Sequence, residues 1–324
     1  MKLLKPEALQ PNDLIGIVAP SLPVFDYDHE PYAQAKAVIE GLGFRLLEGE
    51  TTKLMHRWSA GTPDQQAADI NAMFSNAEVK AIIGHTGGFS SMGVIDQLDY
   101  ELIKANPKPF VGLSDITVYQ WAMFVQTGLV GFHGNDFTYG FGQQWANESA
   151  ANQTVLANFY IQLLTSTDPI GELPFGDEIE VWKDGESVEG MLIGGNLKRF
   201  MLLAGTKYFP SLDLFNGSIL FWEDIGETYY DIAIYFQKMR SMGILDRIGG
   251  LITCRPVWVN TYFDHVEHPS LQEMILELTV DYDFPILNNF KLGHHTSFLV
   301  LPIGCRARLD GSSGEVVLLE SAVC

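Results

Sequence analysis

The segment Pro109–Gly134, PFVGLSDITVYQWAMFVQTGLVGFHG, changes character twice. Pro109-Phe110-Val111 is a short apolar run of strand type, and Gly112-Leu113-Ser114-Asp115 is a turn. From Ile116 a mostly apolar stretch of helical length runs to a stop near Gly128. The order is strand, sharp turn, helix, with Ser114 at the corner. A serine there can be a helix N-cap, its hydroxyl accepting from a backbone N–H of the first turn. It can equally be a nucleophile lifted above the sheet edge, with the N–H groups of the helix start facing the oxyanion that attack creates. Gly112 fits the second reading, whereas Ile116 leaves the G-x-S-x-G form incomplete.

The flanking chain repeats the same alternation. Leu14–Ala19 is a buried strand that stops at Pro20-Ser21, 32–42 has helical spacing closed by Gly43, and Phe44–Leu47 resumes strand character. Thr62-Pro63 followed by Gln65 and Gln66 starts a helix over 63–74 with an N-cap, a proline in the first turn and a capping-box partner. Val79–Gly84 is another buried strand, and it runs into His85-Thr86-Gly87-Gly88-Phe89-Ser90-Ser91. Short apolar strands alternating with longer helices predict an α/β fold, an N-terminal Rossmann-like parallel sheet with flanking helices. Ligands on such sheets bind beyond the carboxyl ends of the strands, where both Gly87-Gly88 and Ser114 fall. The glycine pair matches neither G-x-G-x-x-G nor a P-loop, so it reads as a tight turn or as backbone N–H groups brought close to a substrate oxygen.

Beyond Gly140 the pattern shifts. A helix is expected over 143–164, and 165–176, with two prolines and two glycines, resembles a linker. Strands follow over 178–182, 190–196, 218–222 and 250–254, with helices over 229–242 and 271–280. A terminal hairpin joins 307–309 to 316–319 through Asp310-Gly311-Ser312-Ser313-Gly314. The expected organisation is an N-terminal α/β domain over 1–165 carrying the nucleophile, a linker over 166–185, and a smaller, strand-rich α/β domain over 186–324 carrying acid and base.

Composition narrows the function. A formal net charge of −20 over 324 residues argues against nucleic acid and anionic membrane surfaces as partners. No apolar run approaches the roughly 20 residues that span a bilayer. The N-terminus does not read as a secretory signal, and three scattered cysteines, Cys254, Cys305 and Cys324, fit a reducing cytoplasm.

Serine chemistry needs a base for the hydroxyl proton and a carboxylate to orient that base. The sequence offers Glu223 and Asp224 at a strand end, and His294 and His295 in a glycine-led loop. Taken singly, each fits a solvated turn or surface position, and His133 fits a packed histidine as well as a pocket residue.

The segments LSDIT (113–117), GMLIGGNL (190–197), ILFWEDIGE (219–227) and GHHTSFLVLPIG (293–304) resemble the signature blocks of the L,D-carboxypeptidase family of serine peptidases. The resemblance runs from Leu4-Lys5-Pro6 to the terminal hairpin. The family contains muramoyl-tetrapeptide carboxypeptidases and microcin C immunity (MccF-like) peptidases, and residues 180–206 are closer to the second branch. The resemblance implies Ser114 as nucleophile, Glu223 as acid and His294 as base, with His295 its neighbour. It implies backbone N–H groups of Gly88 and Asp115 as oxyanion donors, no metal or organic cofactor, and a homodimer.

Leu113 stands where the family usually has Tyr, Asn135 where a Pro follows Gly134, and Phe89-Ser90-Ser91 where the MccF-like branch tends to have Asn-Ser. These departures put specificity in question, and Ser90, Ser91, Trp182 and His295 are the pocket candidates. Two substrates compete: an aminoacyl- or peptidyl-nucleotide antibiotic, and a murein tetrapeptide that loses D-alanine. The second calls for a cation at the terminal carboxylate, such as Lys198 or Arg199. An alternative of another class is a non-catalytic binding protein on the same fold.

Overall fold

The computed structural model describes residues 2–175, 178–259, 267–295 and 299–324. Two sheets stand in it. The first contains β1 (Leu14–Val18), β2 (Arg45–Glu48), β3 (Val79–Gly84), β4 (Phe110–Gly112) and β5 (Gly131–His133). The second contains β6 (Gly171–Glu172), β7 (Glu180–Lys183), β8 (Val188–Asn196), β9 (Ile219–Glu223), β10 (Gly250–Thr253) and β11 (Ile286–Asn288). β12 (Leu301–Ile303) then returns to the first sheet, and the hairpin β13 (Arg306–Leu309) and β14 (Val316–Leu318) completes the second.

The first sheet runs in the order β12-β5-β4-β3-β1-β2, parallel throughout except for β12, which lies antiparallel to β5 with Leu301 opposite His133. Its central strands are buried along their length, as expected where helices cover both faces. The second sheet is mixed, in the order β6-β14-β13-β8-β9-β10-β11-β7, with a parallel centre β8-β9-β10-β11. One hydrophobic cluster runs through both sheets, and Trp121 of the helix Ile116–Thr127 joins them by donating its indole N–H to the Gly194 carbonyl of β8 (2.8 Å).

The helix Pro63–Ser75 begins with the expected capping box between Thr62 and Gln65. The helix Ile116–Thr127 ends at Gly128, whose φ of +84° is the left-handed conformation of a glycine stop. Two expectations change. The helix over 143–164 is interrupted: a wide helical segment, Phe137–Gln144, leads to the short turn Trp145–Asn147, and a new helix, Ala150–Thr165, starts at the Ser149 cap. Close packing causes this, because a Cβ on Gly142 would lie 2.1 Å from the Pro31 carbonyl oxygen and one on Gly140 would lie 2.7 Å from Asn135 Cα. The expected linker over 166–185 also contains β6 and β7, both hydrogen-bonded into the second sheet. β6, two residues long and beside Pro169 and Pro174, carries too little periodicity to stand out from a linker, whereas β7 falls on the strand expected over 178–182.

Candidate active site

Ser114 sits between β4 and the helix Ile116–Thr127 with φ +61°, a conformation that a non-glycine residue adopts at a penalty of about 1–2 kcal/mol. The turn is sharp because Ile116 folds back beneath it. A Cβ on Gly112 would lie 2.4 Å from Ile116 Cδ1, and one on Gly84 at the end of β3 would lie 2.3 Å from it. Ile116 stands where the motif's second glycine is absent, and its side chain fills the space left by Gly112 and Gly84 on the two strands. Such strain persists where the surroundings over-determine it, and it clusters at functional sites.

The loop after β3 lies against this corner. A Cβ on Gly87 would stand 2.6 Å from Ser114 Cβ, 2.8 Å from its Oγ and 3.1 Å from the Asp115 nitrogen. The loop is fixed from below by the buried carboxylate of Asp115, which accepts from Ser21 Oγ (2.8 Å), the Ser91 amide (3.0 Å) and Ser91 Oγ (2.7 Å). Ser21 Oγ in turn accepts from the amides of Phe89 (2.8 Å) and Ser90 (3.1 Å). Arg199 reaches across from the second sheet's side: its Nη2 donates to the Gly88 carbonyl (2.8 Å), its Nε lies 3.5 Å from Asp115, and its guanidinium packs over the Phe89 ring. Among the described residues the amides of Gly88 and Asp115 have no hydrogen-bond partner. Ser91, expected at a pocket wall, is instead buried and bonded to Asp115, because the loop turns inward after Ser90.

The residues expected as acid and base come from the second sheet. Glu223 is the last residue of β9 and fully buried. His294 follows β11 and presents Nδ1 to Glu223 Oε2 at 2.5 Å. Gly293 permits this approach: its φ is +90°, and a Cβ there would lie 2.5 Å from Glu223 Cβ and 2.8 Å from Oε2. His294, half-buried, is therefore the histidine brought to the acid, while His295 is exposed.

The electrostatics follow from burial and neighbours. Burial alone would raise the Glu223 carboxyl, but the charge and ring N–H of His294, with the nearby ring of His133, outweigh it and hold Glu223 well below the carboxylate range. Burial disfavours a charged His294, yet Glu223, with Asp136 and Asp224 behind it, raises the imidazole above its ordinary value. Asp224, one residue on, is pushed up to about 7 by burial and by the Glu223 charge. Its carboxylate accepts from Asn196 Nδ2, the Lys198 amide and the Ile225 amide, pinning the start of the helix Leu197–Leu202 that carries Arg199.

Trp182 on β7 is half-buried, its indole N–H donating to Glu180 Oε2 (3.0 Å). Glu180 Oε1 faces Arg255 at 3.5 Å, and burial with the Arg255 charge keeps His295 below its ordinary value. Ser90 lies half-buried beside Ser21. Lys198 is committed to Glu227 (2.5 Å).

Sequence reading passed over Ser21, Asp136 and Asn196. Asp136 is buried and holds the loop through Thr86 Oγ1 (3.0 Å) while its other oxygen caps the Tyr139 and Gly140 amides. Strand-end placement is the one signal these residues carry in the sequence, and it is shared with ordinary caps. Arg199 was noted only as a cation for a substrate carboxylate, and its bonds to Gly88 and Asp115 depend on contact between the two sheets.

Residues 15–134 match the LD-carboxypeptidase N-terminal domain and residues 189–309 its C-terminal domain. The chain is 29% identical to a probable murein peptide carboxypeptidase of Bacillus subtilis, covering 98% of this chain and 95% of the relative. It is 25% identical to the microcin C7 self-immunity protein MccF of Escherichia coli, over 95% and 94% of the two chains. Among solved structures, an MccF-like protein from Bacillus anthracis superposes with a TM-score of 0.85 at 27% identity, covering 98% of this chain and 99% of that one.

Proposed function

Because this chain belongs to the LD-carboxypeptidase family of peptidases, we propose that it hydrolyses an amide bond through Ser114, His294 and Glu223 by way of an acyl-enzyme. The observation that carries the reading is the strained corner at Ser114 together with the His294–Glu223 contact, both at the carboxyl ends of parallel strands. His294 takes the Ser114 proton as Oγ attacks the carbonyl carbon. The amides of Gly88 and Asp115 receive the oxyanion, each such donor contributing about 3–4 kcal/mol. His294, held by Glu223, passes its proton to the leaving amine, and water then cleaves the ester by the reverse sequence.

The substrate we favour is an aminoacyl- or peptidyl-nucleotide, as for the MccF-like branch. Both cations that would serve a terminal carboxylate are engaged elsewhere, Arg199 with Gly88 and Asp115, and Lys198 with Glu227. Trp182 bonds to Glu180, which faces the Arg255 that acts on His295, and its ring is the candidate to receive a base. The second reading, release of D-alanine from a murein tetrapeptide, is supported by the likeness to the Bacillus subtilis murein peptide carboxypeptidase. We further place the protein in the cytoplasm as a homodimer, on its free cysteines and on the family resemblance respectively.

Mass spectrometry of purified protein and of Ser114→Ala, incubated with an aminoacyl-sulfamoyl adenosine and with a murein tetrapeptide, tests this. Release of the amino acid from the adenosine compound by wild type alone is the expected result. Loss of D-alanine alone selects the second reading, and full activity in Ser114→Ala refutes the serine mechanism.

A further inference from the structure

Glu223 is approached from two sides. One carboxylate oxygen meets His294; the other, Oε1, faces His133 Nε2 at 3.7 Å. Both atoms are buried, and neither has a hydrogen-bond partner among the described residues. The separation is beyond a formed hydrogen bond. Two buried polar atoms without partners are costly, and a closure of well under 1 Å would satisfy both.

The charge facing Nε2 decides the proton of His133, since the neighbours of Nδ1 are a hydroxyl and an amide oxygen. It ends β5, in register with Gly112 of the nucleophile's strand on one side and Leu301 of β12 on the other, so its backbone cannot swing. Its ring packs on Phe221, and the bare Gly195 lets β8 pass close to Nδ1. Nδ1 has Thr117 Oγ1 at 3.5 Å and Gln120 Oε1 at 3.4 Å. The Gln120 amide cannot turn round, because its Nε2 donates to the carbonyls of Gly112 and Phe132. Thr117 Oγ1 accepts the Asn196 amide (3.2 Å), which leaves the threonine proton free to point at Nδ1. A ring protonated on Nδ1 alone would turn an Nε2 lone pair against a buried carboxylate. Every other state of the ring puts a proton on Nε2, facing Glu223 Oε1.

We propose that His133 is a positioning residue for the acid of the site, its Nε2–H holding Glu223 Oε1 so that Oε2 stays aligned on His294. The inference rests on the reading of Ser114, Glu223 and His294 given above. His133 thereby ties the acid of the second sheet to the strand beside the nucleophile. By drawing charge from Glu223, it also tempers the pull of that carboxylate on the His294 proton, to which Asp136 and Asp224 add their own.

The test uses full-length protein labelled with 15N-histidine, in wild type and in His133→Gln, His133→Asn, His133→Leu and Glu223→Gln. Two-bond 1H–15N spectra across pH should show His133 protonated on Nε2, with that signal displaced in Glu223→Gln. The His294 titration should move upward in His133→Asn and His133→Leu and stay near wild type in His133→Gln, whose amide nitrogen reaches the place of Nε2. With the better of the two substrates, kcat should fall about 10- to 100-fold in His133→Asn, the equivalent of one hydrogen bond to a charged group, with KM nearly unchanged and His133→Gln largely active. An unprotonated Nε2, or an unmoved His294 titration in both Asn and Leu variants, overturns the proposal. Wild-type turnover in Glu223→Gln overturns instead the underlying reading of the acid, and the spectra decide the His133–Glu223 contact whether or not either substrate is turned over.

Discussion

Replacing Gly87 by alanine tests the geometry of attack directly. The added methyl carbon would lie 2.8 Å from Ser114 Oγ and 3.1 Å from the Asp115 nitrogen. A reacting carbonyl has to sit about 3 Å from both nucleophile and oxyanion donor, so the methyl occupies the place that the substrate needs. It would also press on Ser114 Cβ at 2.6 Å, an overpacking contact in the range of about 1–3 kcal/mol. Gly87 does not adopt a positive φ, so no backbone strain adds to this. The expected outcome is a loss of at least about 10²–10³-fold in kcat/KM, the worth of an oxyanion contact, with a stability decrease limited to that overpacking. Gly41→Ala is the control: at the end of the helix His29–Gly41 a Cβ meets nothing within 4 Å, so turnover should match wild type and stability should match it or rise by up to about 1 kcal/mol. The assay is steady-state hydrolysis beside thermal melting. A Gly87→Ala enzyme that melts close to wild type and retains kcat/KM within about threefold would refute the placement of the carbonyl between these groups.

Three further outcomes follow from the same site. The raised His294 holds its proton until the pH passes above the ordinary histidine value of about 6.5, so kcat/KM should rise with pH through a limb above that point, and Glu223→Gln should move the limb downward in a pH–rate profile. The stability that this pairing contributes runs the other way, being full below about 6.5 and lost as pH rises through the folded value, which melting across pH will register. Arg199→Ala should lower kcat by about tenfold or more while leaving the His294 titration in place, because it releases the Gly88 carbonyl and not the base; an unchanged kcat would show that Asp115 holds the loop alone.

The alternation of buried strands and helices in the first half was legible because parallel strands covered on both faces are continuous apolar runs. The capping box at Thr62 and the stop at Gly128 marked helix ends with equal clarity. The corner at Ser114 was visible as a change of period, while the reason it is sharp was not: Ile116 folds into space left by Gly84 and Gly112, which belong to two different strands. The family resemblance prefers His294 to His295, and in the fold it is His294 that lies against Glu223, where Gly293 lacks a Cβ. The bonds of the Asp115 carboxylate, the reach of Arg199 to Gly88 and the approach of His133 to Glu223 stayed hidden for a common reason. Each depends on a partner far away in sequence, and no local pattern encodes such a meeting.

The return of β12 to the first sheet has a consequence for how the chain is made. Until Leu301–Ile303 emerges from the ribosome, β5 is an open edge, its hydrogen-bonding groups free to recruit any passing strand. The first sheet is therefore sealed only late in synthesis, by a segment downstream of the base of the proposed site. A nascent chain stalled inside the second unit carries the Ser114 corner on an unsealed sheet, a ready client for chaperones, and expression of the first half by itself should give inclusion bodies in place of a soluble domain.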